Sequence, residues 1–283
     1  MTPRIVFPTD FSATADTALD FAAKMIEKAG NGQLIFFHAY HLPTLDTGME
    51  SSMLERMEEE AREEAYRRLR ESAQQKAERY RQATGWELNY AIEALPGFAI
   101  ESMPDAVDKH SANFVVMGTR GAGGGLTQHL LGSNAADAIE KLHVPVLTVP
   151  ELGRYHGIKR VVYATDCTAA DRERLPQLVA FTNLFQAHLE VLYIGGDEAE
   201  RRLAQYRDAV YDLLPSQGVE FLHRPADSST EDALLKFLEE VQADVVALYH
   251  RDRNFLQGLF HKSLTKRLAF HSHIPVLSIP ERG

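Results

Sequence analysis

A chain of 283 residues is long enough for two domains, since a single one usually runs to roughly 100–200 residues. Its 45% apolar and 25% charged content is ordinary for a soluble globular protein, and a formal charge of −10 argues against a broad nucleic-acid or anionic-membrane surface. The one cysteine, Cys167, excludes an intrachain disulfide, and no signal peptide or membrane-length apolar run stands out, so a cytoplasmic protein without membrane contact is expected.

Ile5-Val6-Phe7 reads as a short buried strand ended by Pro8. Ser12 is placed to cap the next helix, with Ala15, Ala18, Leu19, Ala22, Met25 and Ile26 at helical spacing and Gly30 as its stop. Leu34 to Tyr40 is near-continuously apolar, as in a parallel strand covered on both faces. A histidine inside such a strand, His38, is expected to be a hydrogen-bonded core residue rather than a base. From Gly48 to Ala83 the chain is charged, with Met53, Met57, Ala61, Ala65, Leu69, Ala73 and Ala77 every four residues. This predicts one long amphipathic helix docked by a narrow stripe on the protein's own sheet. Trp86, Leu88, Tyr90 and Ile92 alternate with Glu87, Asn89, Ala91 and Glu93, predicting a half-exposed edge strand. After Gly97 a helix is expected to run to about Ser111, with Pro104 acceptable only in its first turn.

Phe114 to Met117 is a further apolar strand, and it opens into the most informative stretch of the chain. Gly118 and Gly121 lead to Gly123-Gly124-Gly125, then Gly132-Ser133 and a helical pattern. Glycines let main-chain N–H groups approach a ligand, and a helix start adds free donors and a positive dipole end. Such a nest suits phosphate. It is neither G-x-x-x-x-G-K-[ST], because no lysine stands beside Ser133, nor the G-x-G-x-x-G of a first βα unit. A helix and the strand Val144 to Pro150 complete a βαβαβαβαβ order, hence a doubly wound parallel sheet with ligands beyond its strand C-termini.

A polar link, Glu151 to Gly157, precedes a restart at Val161-Val162-Tyr163-Ala164-Thr165-Asp166, and His143-Val-Pro-Val-Leu-Thr-Val-Pro150 is echoed by His273-Ile-Pro-Val-Leu-Ser-Ile-Pro280. Two echoes in one order indicate an internal duplication. Domains at 1–150 and 151–283 are therefore expected, the second with helices at 175–185, 197–214 and 230–241 and strands at 189–194, 219–223 and 245–249. It lacks the glycine loop: Tyr249 to Ser263 is bulky and basic instead. Arg251, Arg253, Lys262, Lys266 and Arg267 read as a solvated face sooner than an anion site. His250, His261, His271 and His273 lack metal-ligand spacing and read as scattered residues.

The spacing Gly118-x2-Gly121-x10-Gly132-Ser133 resembles the G-x2-G-x9-G-[ST] of nucleotide-binding members of the universal stress protein family, with one extra residue that the Gly123–Gly125 run can absorb. Val6-Phe7-Pro8-Thr9-Asp10-Phe11-Ser12 looks like that family's opening strand and turn, and His38-Ala39 like the end of its second strand. The resemblance covers the whole chain as two tandem copies. It implies α/β domains, each with a five-stranded parallel sheet of the adenine nucleotide alpha hydrolase-like kind. It also implies an adenine nucleotide (ATP, or AMP or ADP), with Mg accompanying the phosphates. By the same resemblance Pro8, Thr9 and Asp10 face the adenine or ribose, Ala39 the adenine edge, Gly97 the ribose and Met117 an apolar wall. Gly118, Arg120, Gly121, Gly132, Ser133 and Asn134 would take the phosphates. The residues themselves leave a bland role for each, namely turn-capping for Asp10, core packing for Met117 and a strand break for Gly97. The expected function is a nucleotide-linked stress-response regulator acting on a protein partner. Its halves would form an intrachain pseudo-dimer through their matching last strands, with a further homodimer open. A slow ATP hydrolase or phosphotransferase, and an interaction module with a vestigial site, are the rivals; no catalytic pair can be placed by spacing.

Overall fold

The computed structural model describes residues 2–42, 51–119, 133–196, 198–214, 218–225, 229–249 and 273–280. In chain order the elements are β1 (Arg4–Pro8), α1 (Ala13–Ala29), β2 (Gln33–Tyr40), α2 (Ser51–Thr84), β3 (Tyr90–Pro96), α3 (Ala99–Lys109), β4 (Phe114–Gly118), α4 (Ser133–Lys141) and β5 (Val146–Val149). The second half continues with β6 (Arg160–Ala164), α5 (Ala169–Phe185), β7 (His188–Ile194), α6 (Ala199–Val210) and a 3-10 turn (Tyr211–Leu213). Then come β8 (Val219–Arg224), α7 (Thr230–Val241), β9 (Val245–Tyr249) and β10 (Val276–Ile279).

The strands form one ten-stranded sheet in the order β3-β2-β1-β4-β5-β10-β9-β6-β7-β8. Each half contributes a parallel five-stranded wing with the same internal order. The wings meet where β5 pairs antiparallel with β10, centred on Leu147 opposite Leu277. Their strand C-termini therefore point to opposite poles of the sheet. The matching Pro-Val-Leu strands do pair, and their prolines stand outside the ladder, where a missing N–H costs nothing.

Both faces are covered, which is why β1, β2 and β4 read as apolar runs: Ile5, Val6, Phe7, Leu34, Ile35, Phe36 and Val115 are sealed from solvent. On one face α1, α2, α5 and α6 pack in a single cluster that crosses the seam, and on the other α3, α4 and α7 do the same. Phe114 meets Phe181 at 6.1 Å between ring centroids and Phe21 meets Tyr155 at 5.2 Å, so aromatic contacts as well as strands join the halves.

Several elements depart from expectation. The stripe of α2 docks only from Ala65 onward, through Ala65, Leu69, Ala73 and Tyr80, while Met53 is 55% exposed. In β3 the edge position holds, but Trp86 and Leu88 precede the strand and Glu93 is buried, because α3 brings Lys109 and His110 onto its carboxylate and α2 brings Tyr66. Pro104 lies beyond the first turn, as the sixth residue of α3, and Pro176 as the eighth of α5. Helix α5 starts at Ala169 because Thr168 and Asp171 form a capping box, with Asp where Glu or Gln is usual. Ser12 sits at the N-cap of α1 without a side-chain capping bond, and Gly30 closes that helix in the left-handed region as expected. Among the described residues no helix is long and apolar enough to cross a membrane.

Candidate functional site

The order β3-β2-β1-β4-β5 reverses direction between β1 and β4, the place where open α/β sheets leave a crevice at the strand C-termini. Register assembles its floor. Pro8 is level with Phe37, and Val6 with Val115, so the ends of β1, β2 and β4 reach the same rim. Since β4 and β5 are parallel, the helix between them must run back from that rim, which puts the start of α4, Ser133-Asn134, there too. Asn134 is exposed.

At the end of β1 the ladder continues one residue, with Thr9 N–H donating to the Phe37 carbonyl at 2.9 Å. The chain then bends sharply. Phe11 adopts φ +65°, a left-handed value unusual for a bulky residue, and its N–H donates to Thr9 Oγ1 at 3.0 Å. Ser12 N–H donates to Asp10 Oδ1 at 3.0 Å. Thr9 is buried and occupied within this turn, whereas the Asp10 carboxylate is exposed at the rim. The turn-capping role weighed for Asp10 is thus present in the structure, on a carboxylate that solvent also reaches.

His38 lies beneath the turn. A carbonyl can only accept, so its Nδ1 carries hydrogen and donates to the Thr9 carbonyl at 2.9 Å. Burial holds its pKa below the ordinary imidazole value; Arg68 and His41 push the same way, against the Thr9 carbonyl and Asp10. The ring is half-buried and hydrogen-bonded, as expected of it. Phe11 packs on it at 4.5 Å, and the Arg68 guanidinium lies 4.5 Å above the Phe11 ring. Phe11 entered the sequence reading only as a member of the Pro-Thr-Asp-Phe-Ser turn, and Arg68 did not enter it. Arg68 is one of many charged residues on α2, and nothing in its spacing points inward.

Ala39 is half-buried on β2, level with Leu95 of β3. Gly97 donates from its N–H to the Tyr40 carbonyl at 2.9 Å and takes φ +108°. A Cβ there would meet Ser102 Oγ at only 3.5 Å, so backbone conformation, not space, demands glycine. Met117 is buried, and Gly118 pairs with Val149 at the end of β4. The structure thus gathers Pro8, Thr9, Asp10, Ala39, Gly97, Met117 and Gly118 at one rim. Arg120, Gly121 and Gly132, with the Gly123–Gly125 run, lie outside the described residues. So does most of the basic, histidine-rich segment of the second half. No cluster of three or more metal-ligating side chains occurs among the described residues.

The second half repeats the turn with different side chains beside it. Thr165 N–H donates to the Leu192 carbonyl at 3.0 Å, Cys167 N–H donates to Thr165 Oγ1 at 2.9 Å, and Cys167 takes φ +56°. By register Tyr193 stands where His38 did, and Ile194 replaces Ala39. The Tyr193 ring crowds Gly195, where an added Cβ would come within 2.8 Å of it. Burial pushes the Cys167 thiol up to about 12, so it is no nucleophile at neutral pH.

The family model for universal stress proteins matches residues 1–150, more than half of the chain. The chain belongs to the universal stress protein family. Solved structures agree in fold. A universal stress protein from Archaeoglobus fulgidus is 19% identical, with a TM-score of 0.70 over 98% of both chains. A candidate universal stress protein from Pseudomonas aeruginosa is 13% identical, with a TM-score of 0.56 over 99% of this chain and 93% of that one. No curated protein sequence matches the chain.

Proposed function

We propose that this universal stress protein binds an adenine nucleotide, ATP in the first instance, in the crevice at the C-terminal ends of β1, β2 and β4. It acts as a nucleotide-linked regulator built from tandem domains, 1–150 and 151–283, that form an intrachain pseudo-dimer in the cytoplasm. The observation that carries this reading is the Asp10 rim. An exposed carboxylate stands at the switch point of the sheet, on a turn braced by its own hydrogen bonds, facing a strand that ends in Gly118.

The residues fit such a ligand. Asp10 accepts from the adenine amino group or a ribose hydroxyl, Ala39 offers main-chain polar atoms beside a small side chain, and Met117 supplies an apolar wall. Gly97 leaves room near the ribose, beside Pro8 and Thr9. Gly118, Arg120, Gly121, Gly132, Ser133 and Asn134 hold phosphates through N–H, guanidinium and hydroxyl groups, with the dipole of α4 behind them. A magnesium ion arriving with the phosphates would keep most of its ligands from water and phosphate, as that ion usually does. His38 donates from Nδ1 to the Thr9 carbonyl and so braces the turn that carries Asp10.

Titration calorimetry with ATP and magnesium tests this reading. One nucleotide per chain is expected, and Asp10→Ala should weaken binding about tenfold, the size of one charged hydrogen bond. Absence of heat in the wild type sinks the reading. Two nucleotides per chain would place a second site in residues 151–283, and steady ATP turnover lost in Asp10→Ala would favour a hydrolase.

A further inference from the structure

The Thr9–Ser12 turn carries a stack that its own fold does not require. Phe11 touches two neighbours, the His38 ring of β2 at 4.5 Å between centroids and tilted by 52°, and the Arg68 guanidinium of α2 at 4.5 Å from its ring. The second half provides an internal control. Its turn keeps the left-handed residue and the threonine brace with Cys167 in place of Phe11, so the bend holds without an aromatic ring. An arginine of the helix after β7, Arg202, lies 5.8 Å from the Tyr193 ring and donates to its hydroxyl at 3.2 Å, so it engages the end of β7 and not a ring in the bend.

In the first half these two contacts tie together three elements around the exposed Asp10. His38 brings the end of β2, Phe11 the bend itself, and Arg68 the point on α2, between Ala65 and Leu69, where that helix first buries against the sheet. Beyond that point, residues 51–64 of α2 carry no buried side chain. The charged and titratable groups facing His38 are Arg68, Asp10 and His41.

We infer that the Arg68–Phe11–His38 stack positions Asp10 for the nucleotide and transmits occupancy of the crevice to α2, whose exposed first turns are the output. This rests on the nucleotide reading above. A ligand that fixes Asp10 fixes the turn, and the guanidinium seated on Phe11 then selects one placement of α2 over others. Only such a difference between states can make the helix respond.

Hydrogen exchange by mass spectrometry on the full chain, with and without ATP and magnesium, reads both ends of the link. In the wild type, ATP should slow exchange at the Thr9–Ser12 turn and across residues 51–69. Arg68 is exposed, so Arg68→Ala should fold normally and bind ATP within about two- to fivefold of wild type, the size of one partly exposed cation–π contact, yet protect only the turn. Phe11→Gly removes the ring while suiting the left-handed backbone, and should lose the α2 response in the same way. His38→Asn can still donate to the Thr9 carbonyl and should retain more affinity than His38→Leu, a difference that loss of packing alone would not produce. A wild type that binds no ATP ends both this inference and the nucleotide reading. A wild type that binds ATP while α2 stays unaltered, or stays equally protected in Arg68→Ala and Phe11→Gly, overturns the inference alone.

Discussion

Two buried glutamates on neighbouring wings show how much a single partner matters. Burial by itself pushes both carboxyls up. Glu93 escapes this because Lys109 Nζ donates to Oε1 at 2.9 Å and His110 Nε2 lies 2.8 Å from Oε2; their bonds hold its pKa below the ordinary carboxylate value. Glu190 keeps Arg160 Nε at 3.1 Å on Oε1, its buried Oε2 has no partner among the described residues, and Glu220 stands directly opposite on β8. Burial therefore leaves its pKa raised. The consequences for stability have opposite signs. A lowered pKa gives stability that is present above the unfolded value near 4.5 and lost as pH falls through the folded one. A raised pKa gives stability that is present below 4.5 and lost as pH rises through the folded value. Glu93→Gln should thus cost about 1.5–3 kcal/mol at pH 7 and less at pH 4, as for hydrogen bonds to a charged group. Glu190→Gln should fare better against wild type at pH 7 than at pH 4. Urea unfolding at the two pH values checks the pair, and parallel pH trends in the two variants would refute this assignment.

At the level of elements, the seam between β5 and β10 carries an asymmetry that its near-identical sequences hide. Thr148, fully buried, donates from Oγ1 to the Val276 carbonyl at 3.3 Å, whereas Ser278, its counterpart across the seam, has a buried hydroxyl with no partner among the described residues. Thr148→Val should cost about 1 kcal/mol, and Ser278→Ala should be neutral or mildly stabilising, because removing an unbonded buried hydroxyl removes a penalty. Thermal unfolding distinguishes them, and equal losses would show that the two hydroxyls are equivalent. The pairing itself was legible, because the same Pro-flanked apolar tetrad occurs twice. So were β2, β4 and β9, whose unbroken apolar runs leave few alternatives to a doubly covered strand. The start of α5 was not, since an aspartate does the capping usually left to Glu or Gln and Pro176 suggests a later start. The four-residue stripe of α2 announced a helix but not where it docks, because spacing defines a face and only tertiary contacts decide which turns use it. The rim was legible through Asp10, Ala39 and Gly118, each at a strand end. The stack was not: it joins residues far apart in the chain whose types are common everywhere.

For the whole molecule, the question is whether the halves stand alone. They share one sheet and, on each of its faces, a hydrophobic cluster that crosses the seam, and Phe21 and Phe114 of the first half rest on Tyr155 and Phe181 of the second. Cutting the chain after residue 150 would leave β5 as an open edge, with unpaired ladder groups beside bared aromatic surface. Such an edge recruits a strand. The strand best matched to it is another β5, because β10 presents nearly the same residues in antiparallel register and that pairing can be two-fold symmetric. A fragment of residues 1–150 should therefore dimerise, while the full chain, its edge already covered at β5, unfolds in one cooperative transition. Light scattering on the fragment should give about twice its own mass, and replacing Leu147 at the centre of the seam with Asp should abolish the dimer. A fragment that stays folded and monomeric, together with two separate transitions in the full chain, would mean that the seam merely joins two independent bodies. In that case occupancy of the crevice in one wing would have no route through the sheet to the other.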